Sequence, residues 1–153
     1  MLAVGVEASA QDASKTPASS WRPKEGVYAV PGKTFEMRCG ELGDAFIDFA
    51  DNLIGGSEYG CEVRKTTASA PGALKIEADC FDAQTEQTKR ELIMLKRVDD
   101  RSFSWRHITA GSKDRGITFS YCPEAVQELN REDKARSKAE ADQKRASEPT
   151  PKP

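Results

Sequence analysis

The stretch YGCEVRKTTASAPGALKIEADC, residues 59–80, decides the fold. Tyr59, Cys61 and Val63 alternate with Glu62 and Arg64. Leu74, Ile76, Ala78 and Cys80 alternate in the same way with Lys75, Glu77 and Asp79. Successive side chains of a strand point to opposite faces, so each run presents one apolar and one charged face. Between them ASAPGA, residues 68–73, carries the Pro-Gly pair that favours a turn. A turn centred between Ala70 and Pro71 sets Cys61 opposite Cys80, Val63 opposite Ala78 and Lys65 opposite Ile76. Both cysteines then share a face. At a non-hydrogen-bonded antiparallel pair the Cα atoms approach to about 4.5 Å, within disulfide reach.

Further extended runs flank this hairpin. Val27 and its neighbours lie between Gly26 and Pro31-Gly32, and in FEMRC (residues 35–39) Phe35, Met37 and Cys39 alternate with polar residues. Ala45, Ile47 and Phe49 form another inward row. Residues 51–57, with Gly55-Gly56, read as a loop that folds Leu53 and Ile54 over the core, and residues 82–89 read as a polar loop. Residues 92–95 are apolar on both faces, which suits a twice-covered central strand or one turn of helix. Asp99-Asp100-Arg101 turns into FSWRHI (residues 103–108), and Gly111 to Gly116 turns into ITFSYC (residues 117–122).

The pattern amounts to about seven short strands without a crossover long enough for a parallel pair. The expected class is mainly β, a small antiparallel barrel or sandwich stapled by disulfides, with a charged C-terminal helix. Closing such a meander brings its first strand to its last, and with them Cys39 to Cys122. Cys122 is out of phase with Ile117, Phe119 and Tyr121, so this pair needs a bulge or a place at the rim. The expected pairs are Cys61–Cys80 and Cys39–Cys122. Four free core thiols are one rival. Zinc is the other, although structural zinc draws its thiolates from close pairs, and here the nearest two cysteines lie in different strands.

Disulfides require an oxidising compartment, which makes the expected location periplasmic or secreted. Met1 to Val6 is apolar, and Ala8-Ser9-Ala10 before Gln11 has the small-x-small pattern of a signal-peptidase site. Residues 1–20 thus read as a truncated signal-like segment and linker, or else as an Ala/Ser-rich tail. Residues 21–129 form the β-domain, and 130–153 a charged helical or disordered tail. The chain has 153 residues, of which 23 are basic and 25 acidic, for a net charge of −2. No global field therefore attracts nucleic acid. No apolar run approaches the ~20 residues of a spanning helix. Pro123 suits the first position of a helix, Val126 and Leu129 are the last large apolar residues, and pairs such as Glu132–Arg136 support a solvated helix beyond them.

Candidate sites are few. His107 is the only histidine, and with no G-x-S-x-G, P-loop or H-E-x-x-H pattern it reads as a surface residue. No catalytic residue, metal ligand or cofactor is assigned. Asp44, Asp48 and Asp51 could form a glycosidase-like pair, but acidic residues on a solvated strand face account for them more simply. In the loop from Gly55 to Gly60 the glycines permit close backbone approach. Ser57, Glu58 and Tyr59 there offer polar groups around an aromatic anchor, which suits a protein partner. The alternative is that the glycines only make a turn and Tyr59 is core.

FEMRC in the first long strand, GGSEY in a mid-chain loop and FSYC at the end of the last strand, after a signal-like ASA, resemble small four-cysteine β-barrel proteins of the bacterial periplasm. Among such proteins the periplasmic C-type lysozyme inhibitors have an aromatic and a Cys in the first strand, a Ser-containing loop with Tyr, and a Cys in the last strand. The resemblance implies a non-catalytic binding module with a protein partner in the cell envelope. Lysozyme inhibition through Ser57, Glu58 and Tyr59 is its most concrete version. Two other readings remain: a structural or stress-related envelope protein acting through its charged C-terminal helix, and a small hydrolase using an acidic pair.

Overall fold

The computed structural model describes residues 21–149; the signal-like segment lies outside the described residues. Eight strands run β1 (Gly26–Ala29), β2 (Ala45–Asp48), β3 (Leu53–Gly56), β4 (Tyr59–Ala70), β5 (Ala73–Asp82), β6 (Gln87–Asp99), β7 (Ser102–His107) and β8 (Ile117–Tyr121). Each pairs antiparallel with its neighbour in sequence. Tyr28↔Tyr121 and Ala29↔Ser120 join β1 to β8 and close the barrel. A short helix, α1 (Phe35–Gly40), follows β1, a single 3-10 turn spans Phe49–Asp51, and the long helix α2 (Glu124–Ser147) follows β8.

The central hairpin has Cys61 opposite Cys80 and Val63 opposite Ala78, as the alternation requires. Beyond Val63 a bulge at Arg64 changes the register, so that Lys65 faces Glu77 and Thr66 faces Ile76. The bulge kinks β4 where it leaves β3 behind, which the closed sheet needs in order to curve. Residues 92–95 lie within β6, with Ile93 and Leu95 fully buried inside the barrel. The polar loop shrinks to a turn over residues 83–86, and Leu53 and Ile54 form β3, the strand that raises the count to eight.

FEMRC is a helix rather than a strand. Phe35 and Cys39 stand four apart, so they share one face of a helix as readily as of a strand. Met37 is the arbiter: a strand would bury it with Cys39, whereas in α1 it is 57% exposed. The helix carries Cys39 to Cys122 outside the barrel wall. There Val27, Ala29, Phe35 and Val126 surround the Cys39–Cys122 bridge in a second small core. This accounts for the phase of Cys122, which points away from the barrel interior. Cys61–Cys80 belongs to the main core inside, among Ile47, Ile54, Ile76, Ile93, Leu95 and Phe103. With all four cysteines in two bridges, no free thiol is left for the rival readings.

The helix α2 is fastened at its start by Gln127, the one buried polar residue among the described residues. β8 ends at Tyr121, one residue short of pairing Val27. The side-chain amide takes the place of the missing strand. Val27 N–H donates to Gln127 Oε1 at 2.8 Å, and Gln127 Nε2 donates to Val27 O at 2.8 Å and Cys122 O at 3.1 Å. Gly26 makes room, since a Cβ there would stand 2.3 Å from Oε1. About two turns further on, Lys134 pairs with Asp48 and Asp51.

From Arg131 to Glu148 every residue is exposed. Ending the chain after Asn130 therefore keeps Val126 and Gln127 and removes mainly solvated helix and surface ion pairs, each worth roughly 0–1 kcal/mol. Thermal melting of the truncated chain should stay within ~5 °C of the full chain. A larger fall would show that the distal helix packs.

Candidate functional site

The two ends of the barrel differ. At the end where β1 begins, Trp21 packs against the main core, and Arg22 donates to Thr66 Oγ1 at 2.9 Å while lying 5.2 Å from the centre of the Phe49 ring. The opposite end holds a cleft of about 260 Å³, lined among others by Ser57, Tyr59, Trp105, His107, Asp114 and Phe119.

The local sequence explains the rim. Gly56 pairs Tyr59, so Ser57 and Glu58 form the whole β3–β4 connection, with Glu58 at φ 60°. A Cβ on Gly55 would stand 2.3 Å from Tyr59 O, and one on Gly56 2.6 Å from Asp44 O. The two glycines thus let β2, β3 and β4 approach closely, and that approach sets Ser57 and Tyr59 at the mouth. Glu58 is directed elsewhere: its carboxylate accepts from Gln84 Nε2 at 3.0 Å and its carbonyl from Ala83 N–H at 2.9 Å. The structure brings Ser57 and Tyr59 together in the cleft but leaves Glu58 outside its lining.

His107 stands at the centre of the site. Trp105 Nε1–H donates to its Nε2 at 3.3 Å, and Tyr59 Oη lies 3.4 Å from the same nitrogen. An indole N–H can only donate, so Nε2 carries the lone pair and the proton sits on Nδ1. Nδ1 lies 3.6 Å from Glu91 Oε2, and that oxygen also accepts from Thr109 Oγ1 at 2.7 Å. Asp114 accepts the backbone N–H groups of His107 and Gly116, both at 2.8 Å, and so ties down the β7–β8 loop. Burial pushes its carboxyl up, but those two N–H groups together with the nearby His107 and Arg106 side chains hold it below the ordinary carboxylate value. Burial, reinforced by Glu91, Asp82 and Asp114, pushes the Tyr59 phenol above its ordinary value, so it remains a neutral hydroxyl.

Sequence reasoning placed His107 on the surface and did not single out Asp114 or Phe119. The signal was present for two of the three, because His107 continues the inward phase of Phe103 and Trp105, and Phe119 occupies the inward phase of β8. Asp114 had none, since its role comes from loop geometry. The aspartates considered as an acidic pair are each engaged in fastening the fold. Asp44 accepts from Val30 N–H at 2.8 Å and from Arg38 at 3.0 Å, while Asp48 and Asp51 share Lys134. Among the described residues no group of three His, Cys, Asp or Glu side chains is placed to hold a metal ion.

The cleft is therefore an aromatic floor with a few fixed polar groups at its rim, an arrangement suited to binding. No known family model matches the chain, and no curated protein or solved structure matches it.

Proposed function

We propose that this protein is a non-catalytic binding module of the periplasm or cell exterior that engages a protein partner of the envelope through the open end of its barrel. The observation that carries this reading is the cleft of about 260 Å³ with Ser57 and Tyr59 beside Trp105, His107 and Phe119. Aromatic anchors on a rigid, doubly stapled frame lose little entropy on binding, and interface energy concentrates in such residues. Two disulfides fit an oxidising compartment, and no helix among the described residues is long and apolar enough to cross a membrane. Inhibition of C-type lysozymes is the version that the resemblance implies.

The test is an inhibition assay on a lysozyme panel, with a pull-down from periplasmic extract to find other partners. Ser57→Arg and Tyr59→Ala should each weaken binding by about 10- to 100-fold, or ~1–3 kcal/mol. Asp99→Ala, in the β6–β7 turn at the other end of the barrel, and Lys138→Ala, on the exposed part of α2, should change it less than ~3-fold. Melting of Tyr59→Ala runs alongside, because that ring also packs against the core. Unchanged binding by Ser57→Arg, with a Tyr59→Ala variant that merely melts early, would remove the cleft rim from the function.

One observation favours a second reading. The helix α2 has 24 residues, about 36 Å, and its distal part stands exposed. If the chain ending at Asn130 folds but loses its function in the cell, the protein acts through that helix as an envelope component.

A further inference from the structure

The single histidine of the chain stands in the wall of the cleft with its side chain 26% exposed, so protons reach it from solvent. An imidazole is the side chain that changes charge near neutral pH. Titratable and charged groups face it from several elements. Glu91 of β6 sets Oε2 3.6 Å from Nδ1, and Thr109 Oγ1 holds that carboxylate in place at 2.7 Å. Asp114 of the β7–β8 loop accepts the His107 backbone N–H, and its carboxylate feels both the imidazole and the opposing charge of Arg106. Tyr59 of β4 sets Oη 3.4 Å from Nε2, and Trp105 of β7 sets Nε1 3.3 Å from it. Asp82 of β5 acts on Tyr59.

The neutral and the charged imidazole make incompatible demands on these neighbours. Neutral, with its proton on Nδ1, the ring accepts at Nε2 from the Trp105 indole. Charged, it donates from both nitrogens. Its Nδ1–H then gains from the Glu91 and Asp114 carboxylates, while the new Nε2–H meets two groups that were donors. Tyr59, kept a neutral hydroxyl by burial, can turn its proton away and accept. An indole has no acceptor to offer, so the Trp105 bond is lost. Trp105 is 7% exposed, and a buried donor left unpaired is costly. The indole therefore turns toward water at the mouth. Phe119, edge-on to it with ring centres 6.3 Å apart, repacks with it. The imidazole does not withdraw instead, because Asp114 pins its backbone N–H at 2.8 Å.

We propose that protonation of His107 switches the cleft between two states. In the neutral state the Trp105–His107 hydrogen bond fixes the aromatic floor; in the charged state His107 pairs with Glu91 and the floor is released. The functional meaning of the switch rests on the reading of the cleft as the binding site. A partner fitted to the fixed floor is then released on acidification.

Nuclear magnetic resonance of the full chain, titrated from about pH 8 to about pH 5, tests the switch without any partner. One imidazole and two indoles give few signals, and Trp21→Phe assigns the indoles. The Trp105 indole N–H and the Phe119 ring should shift with the midpoint of the His107 ring, while the Trp21 indole stays in place. Glu91→Gln should move that shared midpoint down by roughly half a pH unit or more, since it removes the carboxylate that favours the cation. His107→Gln should abolish the shift of Trp105. An imidazole that keeps one charge over the whole range overturns the proposal, as does a Trp105 signal that stays still while His107 titrates. A partner found in the lysozyme panel should bind at least ~10-fold more weakly at about pH 5 than at about pH 8, and His107→Gln should remove that difference. A panel without a partner counts against the proposed function alone, and the titration still decides the switch.

Discussion

Replacing Cys39 and Cys122 together by alanine is expected to lower the unfolding free energy by about 4–5 kcal/mol. The bridge closes a loop with a sequence separation of 83, against 19 for Cys61–Cys80. In the chain-entropy model the longer loop restrains the unfolded chain more, and the shorter one is worth only about 3 kcal/mol. A second contribution comes from packing. The bridge is the centre of the outer core, with Cys39 and Cys122 almost fully buried against Val27, Ala29 and Phe35. Alanine avoids burying a hydroxyl there, which would add a separate penalty. Since a domain of this size has roughly 5–15 kcal/mol in all, the loss is a large share of its stability. Chemical denaturation of the variant beside the oxidised wild type measures it. A loss below ~2 kcal/mol would mean that α1 is held on the barrel without the covalent link, and that the unfolded chain is already compact.

The second large effect rests on a polar residue. Gln127→Leu should destabilise the protein by about 2–3 kcal/mol, although leucine is a good helix former. The substitution strips the buried Val27 N–H of its acceptor and removes both bonds donated by Nε2. Val27 O retains Cys122 N–H at 3.0 Å, so the penalty falls on two orphaned groups, the Val27 N–H and the Cys122 carbonyl. Gln127→Glu should be no better. It keeps an acceptor for Val27 N–H but sets a carboxylate against the carbonyls of Val27 and Cys122. Leu129→Ala is the control: Leu129 is 60% exposed, and its truncation should cost less than ~0.5 kcal/mol. Equal melting curves for Gln127→Leu and the wild type would show that β1 does not need the side-chain amide to close the barrel.

This contrast shows where sequence reading stops. Val126 and Leu129 are the apolar residues a helix would be expected to dock, yet the contact that matters most is the glutamine between them. A buried Gln has no signature in a segment rich in charged and amide side chains. Its role exists only because β8 ends one residue short of Val27, and strand length at that seam depends on both ends of the chain. The cleft has the same origin. Tyr59 and Ser57 were legible as a loop beside an aromatic anchor. Glu58 looked equivalent, but the turn places its backbone at φ 60° and its carboxylate on Gln84. His107 acquires its place from Trp105, Tyr59 and Glu91, which come from three different strands.

By itself the sequence determined the antiparallel hairpin of residues 59–80, the Cys61–Cys80 pair, the all-antiparallel meander and the charged helix. These follow from interactions between near neighbours: alternation with a period of two, turns at Pro-Gly and Asp-Asp, and a helix start at Pro123. Only the tertiary structure decided that FEMRC is helical, that Cys39–Cys122 lies outside the barrel wall, and that one barrel end opens as an aromatic cleft. Phe35 and Cys39 satisfy the helical and the extended period alike, so local pattern cannot choose between them. The choice falls to burial against Val27, Ala29 and Cys122, residues brought near only when the first strand closes on the last.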